Sequence, residues 1–385
     1  MRRASTPTMH LAALSAGGQA ARGRFNGAVH SVFRHACNIF LDDGRMLALL
    51  APHLGNVPHG VRLDAPAGFV FSRHLAVGER VGCRADVLRV AGGLSIDLGS
   101  AQAWRGELSS ARVNLAVPEI ARAWRAALRG LRRGRAGGEH AMTLSRAVDR
   151  QGVRLARAAR ALQADHAARA LDRLIGRGPG LTPSGDDLIT GFLAGLFSTT
   201  CDDRALHAFL EVFCLAVARA AASTADISRT YLTQAADGWF AEPLVTLARH
   251  IGAGADPGAI KSATIAALRV GHTSGAAGVF GLLLGLAAWG SRSELLAGSS
   301  GTPARPDLTS HDPPARRPVP ADVNDAGRFY VTTGVRSGGA GASGHWPNVD
   351  FGVLTLFPRM VHATSESCAL VHDAGAPRVA WTIEG

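Results

Sequence analysis

Apolar and polar residues alternate over short stretches in the front of the chain, then settle further on into the three- and four-residue spacing of helices. Residues 29–33, 37–41 and 45–50 read as strands, and Asp42-Asp43-Gly44 is a turn sequence between the last two. Residues 69–71, 81–90 and 94–98 add short strands, with Gly92-Gly93 turning before the last, while Gly55-Asn56-Val57-Pro58-His59-Gly60 is a loop. Short strands with close turns predict a compact antiparallel sheet or small barrel. Residues 1–24 are small, polar and rich in Gly and Ala, and read as a flexible leader.

Pro118 marks the change of period, because proline suits a first helical turn. Residues 120–131, 144–174, 206–222, 227–236, 243–251 and 257–270 then keep helical spacing. Beyond residue 296 the composition is that of a linker, and 329–331, 351–357, 368–371 and 379–383 are either strands or parts of a poorly ordered tail. The expected class is α+β. A β-rich domain over 25–115 (small barrel or antiparallel sheet) precedes an all-helical domain over 116–296, with a linker and tail over 297–385.

Charge changes this picture little. The chain has 41 Lys and Arg against 30 Asp and Glu, and only Lys261 is a lysine. Nucleic acid is not the expected partner, because no recognition motif appears and aromatics do not interleave with the basic runs; small anions remain candidates. Five cysteines at scattered positions, without a Cys-x-x-Cys pair, read as free thiols of a reducing compartment. The apolar stretch 9–14 is too short for a signal-peptide core, and 275–290 falls short of the ~20 residues of a membrane span. A soluble, cytoplasmic protein is expected, with no membrane partner.

The sharpest motif is Gly176-Arg177-Gly178-Pro179-Gly180-Leu181-Thr182-Pro183-Ser184-Gly185-Asp186-Asp187, running into an apolar segment at 188–197. Alternate glycines disfavour regular structure, and Pro183, Ser184 and the aspartates are helix-start residues. A Gly-rich loop feeding a buried helix N-terminus presents free N–H groups to an anion. Gly178, Gly180, Thr182, Ser184 and Gly185 are therefore candidate substrate-binding positions. Asp186 and Asp187 repel a bare phosphate; they suit amide or ureido N–H groups, or a divalent cation between themselves and the ligand. The alternative is that they only complement the helix dipole, at ~0.3–1 kcal/mol each.

Ser184-Gly185 followed by Gly191 and Gly195 recurs, at a constant offset, as Ser274-Gly275 followed by Gly281 and Gly285. Glycines four apart lie on one helix face and let two backbones approach. The two helices are expected to pack together and bring both Ser-Gly starts to one pocket; the alternative is two independent Gly-rich buried helices. His272 is a candidate acid or base at the second start, with Thr273, Ser274 and Gly275 as substrate contacts. Arg229 is either a clamp for carboxylate or phosphate or a plain surface arginine. His30, Ser31, Asn38, Asn56 and His59 are candidates for a cleft shared with the front domain. A Gly-x-Ser-x-Gly elbow and a His-Glu-x-x-His pair are absent from the sequence, and no Rossmann glycine fingerprint is read between a strand and a helix.

Val29-His30-Ser31-Val32-Phe33, Gly55-Asn56-x-Pro58, the string from Gly178 to Asp187, Ile227-Ser228-x-x-Tyr231-Leu232 and Gly271-His272-Thr273-Ser274-Gly275 together resemble a bacterial family. That family includes the AllH subunit of oxamate carbamoyltransferase, and the resemblance spans residues 25–295. It implies work beside other subunits in allantoin breakdown, a part of purine catabolism, where oxalurate and phosphate give oxamate and carbamoyl phosphate. Ala276 and Ala277 stand where the family's pattern carries an Asp soon after Ser-Gly. The Ser-x-Arg-Thr-Arg signature of transcarbamylases is also missing. Carbamoyl transfer without a cofactor is thus the expected activity, with Asp186, Asp187 and His272 as its catalytic candidates. The competing expectations are a non-catalytic scaffold subunit and a stand-alone amidohydrolase acting on a ureido compound.

Overall fold

The computed structural model describes residues 8–108, 113–136, 144–199, 203–271 and 273–290, together with 368–373 and 376–381. The strands of the front domain are β1 (Met9–Gly17), β2 (Phe25–Val32), β3 (Ala36–Leu41), β4 (Met46–Leu50), β5 (Gly60–Asp64), β6 (Arg80–Arg84), β7 (Val87–Val90), β8 (Leu94–Asp97) and β9 (Gln102–Trp104). Their order is β5-β4-β3-β2-β6-β7-β8-β1-β9, and β5 also pairs with β1, which closes a barrel of eight strands. Of the two architectures expected, the barrel is the one formed. It is not purely antiparallel, since β4 with β5 and β1 with β8 run parallel. Ile39, Leu47, Leu49, Val61, Leu63, Leu88 and Ile96 alternate inward to fill it.

Three local expectations are corrected. The leader expected over 1–24 contains β1, which seals the barrel with Leu11, Ala13 and Ala16 buried. Its small side chains carry little hydrophobic signal, yet closure needs them: a Cβ on Gly17 would lie 2.2 Å from the Pro58 carbonyl oxygen. The strand expected over 69–71 is a 3-10 turn, Phe71–Arg73, whose Phe71 plugs the barrel core. The strand expected over 81–90 is a hairpin of β6 and β7. It turns on Ala85 and Asp86, both at positive φ, as a two-residue hairpin turn with the strands' twist requires. Alanine there hides the turn from a reading based on Gly and Asn.

The back domain contributes α1 (Pro118–Ala136), α2 (Arg146–Arg160), α3 (Ala164–Asp172), α4 (Ser184–Thr199), α5 (Arg204–Ala220), α6 (Asp226–Ala236), α7 (Glu242–Gly252), α8 (Pro257–Leu268) and α9 (Ser274–Trp289). Local signals set many of these ends. Ser145, Asp203 and Asp256 accept first-turn N–H bonds at the starts of α2, α5 and α8, while Leu162 at positive φ separates α2 from α3. The stretch 204–223 is long and apolar enough to cross a membrane by length and composition. Its Leu206, Phe209, Leu210, Phe213 and Val217 are buried in the helical core.

At the centre lie α4 and α9, buried on nearly every side. Their contact is backbone on backbone. A Cβ on Gly191 would sit 1.9 Å from the Gly278 carbonyl oxygen, and one on Gly281 2.1 Å from that of Leu188. The packing expected from the repeated glycines is therefore present. Barrel and helices belong to one compact unit, and the chain from Arg305 onward forms a second. In that second unit β10 (Cys368–Asp373) and β11 (Ala376–Trp381) make an antiparallel hairpin. The strands expected at 329–331 and 351–357 lie outside the described residues.

Candidate active site

The Gly-rich motif leaves α3 and turns back sharply into α4. Gly178 and Gly185 make that turn. Gly178 has φ +125°, and a Cβ on Gly185 would sit 1.9 Å from the Leu174 carbonyl oxygen. The Gly185 N–H donates to the Arg177 carbonyl at 2.8 Å, which cinches the loop against the helix start.

The two aspartates, expected to act alike, have opposite environments. Asp186 is buried, and both its oxygens accept protein hydrogen bonds. Oδ1 takes the Gly176 N–H at 2.7 Å, and Oδ2 takes the Thr224 hydroxyl at 2.5 Å. It ties the Gly-rich loop to the corner between α5 and α6. Asp187 points elsewhere: its Oδ2 is buried with no hydrogen-bond partner. Burial pushes its pKa up to about 8, the Asp186 charge adding and the Ser274 hydroxyl opposing. Asp187 therefore carries its proton at neutral pH and can donate a hydrogen bond, which an ordinary carboxylate cannot.

The second helix start meets the first. Thr182 Oγ1 lies 2.9 Å from Ser274 Oγ, and Ser184 Oγ lies 3.3 Å from Thr273 Oγ1. Each hydroxyl belongs to the opposite Ser-Gly motif, so the pocket expected from the repeat has its two sides joined. Gly275 donates its N–H back to the Val270 carbonyl, as Gly185 does to Arg177. Two helix N-termini converging here add their positive ends at one place. Ala276 and Ala277 are fully buried behind Ser274. His272 lies outside the described residues.

The remaining candidates hold the walls together. Arg229 pairs with Asp226 at 3.0 Å and donates to the carbonyls of Ala221, Ala222 and Thr224. As a clamp it is already engaged, and it reaches the site only through Thr224, the partner of Asp186. His30 Nε2 lies 3.5 Å from the same Asp226. Ser31 accepts from Asn38. Asn56 is a strut between the domains: its backbone and side-chain N–H groups both donate to Glu242 at the start of α7, and its Oδ1 accepts from Ser15.

At the join of barrel and helices the candidate His59 meets Tyr231 and Gln234, two α6 residues that sequence reasoning left without a role. Tyr231 is raised to about 12 by burial and then by the charge of Asp187, which puts the two near one another. Its ring packs edge-on against His59 at 5.0 Å. His59 Nδ1 faces Gln234 Oε1 at 2.8 Å, and burial lowers its pKa to about 4, so the imidazole is neutral. With that proton held on Nδ1, Nε2 is a buried acceptor with no partner, as is the Ser228 hydroxyl on α6. The signal for Tyr231 was thin but present, since it is one of two tyrosines.

Among the described residues no group of three or more His, Cys, Asp or Glu is gathered as a metal-ligand set. No solved structure matches the chain. A family model described as Oxamate carbamoyltransferase subunit AllH matches residues 174–286, from the end of the α3 region through most of α9. The AllH family N-terminal domain matches residues 8–103, which takes in β1 and nearly the whole barrel. With the barrel and both helix starts inside those matches, which together cover more than half of the 385 residues, the chain belongs to the AllH family.

Proposed function

We propose that this chain is a cytoplasmic subunit of an oxamate carbamoyltransferase complex in purine catabolism, and that its own helix starts bind the reacting groups of oxalurate and phosphate. The observation that carries this reading is the meeting of two Ser-Gly helix starts around a carboxyl group that stays protonated at neutral pH. Phosphate, or the phosphoryl end of carbamoyl phosphate, is held by the helix N-termini and the hydroxyls of Thr182, Ser184, Thr273 and Ser274. A phosphate oxygen attacks the ureido carbonyl carbon of oxalurate. The carbon–nitrogen bond to oxamate breaks, the leaving amide nitrogen takes a proton from Asp187, and the proton that hydrogen phosphate loses on attack returns to Asp187. Carbamoyl phosphate and oxamate result, and in reverse Asp187 accepts that proton back. Asp186 acts through position alone, by holding the Gly-rich loop in place. The reading uses no cofactor.

Calorimetry on the purified chain with phosphate, carbamoyl phosphate, oxamate and oxalurate, with and without magnesium, tests this. Saturable binding of phosphate or carbamoyl phosphate that a Ser274→Ala, Thr182→Ala double variant weakens at least about tenfold supports it, that being the loss expected for two net hydrogen bonds. No binding of any of the four overturns it and leaves the chain a scaffold for a partner's site.

A further inference from the structure

The strongest unassigned feature lies between α2 and α3, in the segment between the two family-matched stretches and away from the paired helix starts. Arg154 and Arg157 from α2 face Arg169 and Arg173 from α3 and its C-cap across one open cleft of about 530 Å³. That is within the ~300–1,000 Å³ of small-molecule sites. Its floor is the buried Ala158 and Ala170, and neither Asp nor Glu lines it.

Five arginines outside the cleft, Arg45, Arg80, Arg122, Arg135 and Arg229, have a carboxylate within 4 Å. Among the described residues the four of the cleft have none. Their spacing is regular, i to i+3 on α2 and i to i+4 on α3, which places neighbours on one helix about 5–6 Å apart. Two arginines from each side thus line one cleft, and guanidinium forks match phosphate oxygens. The nine-residue α3 starts at the same cleft. Its N-cap is Gln163, a cleft-lining residue whose side chain makes no capping bond. Anions are favoured at such an end, and Asp165 already stands in this first turn. His166 adds a further ring nitrogen within the lining. A single phosphate or carboxylate engages at most one pair of forks; a chain of phosphates spans both helices.

We propose that the cleft between α2 and α3 is a second anion site, which takes a small oligophosphate, inorganic or attached to a nucleoside whose ring lies on the alanine floor. The proposal does not depend on the carbamoyl-transfer reading, because no cleft residue belongs to the helix-start site.

The test is titration of the full-length chain with inorganic phosphate, tripolyphosphate, a nucleoside triphosphate, an octaglutamate peptide and single-stranded DNA at 0.1 M salt. Tripolyphosphate should saturate at one per chain and bind at least about tenfold tighter than phosphate, and an Arg157→Gln, Arg169→Gln variant should lose about tenfold or more. These arginines are exposed, so the variant should keep its circular dichroism and melting temperature. A nucleoside triphosphate binding tighter than tripolyphosphate assigns the floor to a ring, and equal binding assigns the site to the phosphates alone; either supports an oligophosphate site. Equal tripolyphosphate binding by variant and wild type overturns the proposal. So does tighter binding of octaglutamate or DNA than of tripolyphosphate, which would make the cleft a docking groove for a macromolecule. Loss of phosphate binding only in the Ser274→Ala, Thr182→Ala variant bears on the helix starts and leaves the cleft result independent.

Discussion

The starts of α4 and α9 are near-copies in sequence and unlike in chemistry. Both begin Ser-Gly, both return the glycine N–H to a carbonyl of the preceding turn, and both use glycine four residues apart to reach the other backbone. Only the α4 start carries carboxyls and a Gly-rich loop; the α9 start offers hydroxyls and a buried pair of alanines. Neither half makes a site alone. Asp187 of α4 depends on Ser274 of α9, while Asp186 faces away and holds the loop. Duplicated scaffolding with divided chemistry makes the site composite, and it exists only while the two helices touch.

The most severe way to break this is through Asp187. In the reconstituted complex, Asp187→Asn should lower turnover by about 10²–10⁴-fold, the usual span for a lost general acid. Stability should move the other way, by an amount that grows as pH rises from about 4 to about 8. The folded pKa is raised, to about 8 from the ordinary 3.8. Wild type therefore gives up no stability below pH 4, loses it progressively as pH rises from 4 to 8 because the unfolded chain ionises first, and carries the full penalty above 8. Asp187→Asn should melt higher than wild type at pH 9 and level with it near pH 4. An equal difference at both pH values refutes the buried proton.

Next comes the helix contact itself. Gly281→Ala would drive a Cβ against the Leu188 carbonyl oxygen and should cost about 3 kcal/mol or more, since rigid backbone cannot yield as a side chain does. Gly278→Ala on the same helix meets nothing nearer than 3.6 Å and should be neutral or gain up to about 1 kcal/mol from helix propensity. Urea denaturation of the two variants separates a specific close approach from a general need for small residues.

Smaller effects sort the two carboxyls and the hydroxyls. Asp186→Asn keeps the shape but opposes an amide N–H₂ to one of two donors, and should cost about 1–3 kcal/mol of stability. Turnover by the folded variant should fall far less than with Asp187→Asn; an equal fall would return Asp186 to the chemistry. Smallest is Thr182→Ala, at about 1 kcal/mol. A double-mutant cycle with Ser274→Ala should show coupling, because the two hydroxyls lie 2.9 Å apart, and additive losses would mean the contact contributes nothing.

Much of this molecule was readable from its sequence alone. Hairpin turns at Asp43-Gly44 and Gly92-Gly93, the proline that opens α1, and the Ser-Gly repeat that predicted α4 against α9 are all local or periodic signals. They were legible because turn dihedrals, helix starts and close backbone contact each demand particular residue types at fixed spacing. Tertiary structure alone decided the rest. It made a barrel-closing strand of the Ala- and Ser-rich start, where pairing partners rather than propensity choose the conformation. It brought His59 and Tyr231 from distant stretches to the join. It also parted two adjacent aspartates, which no spacing rule distinguishes, by giving one a pair of donors and burying the other beside a single hydroxyl. A carboxyl's proton is set by solvent exclusion and by neighbours far away in the chain, and neither is written in the local sequence.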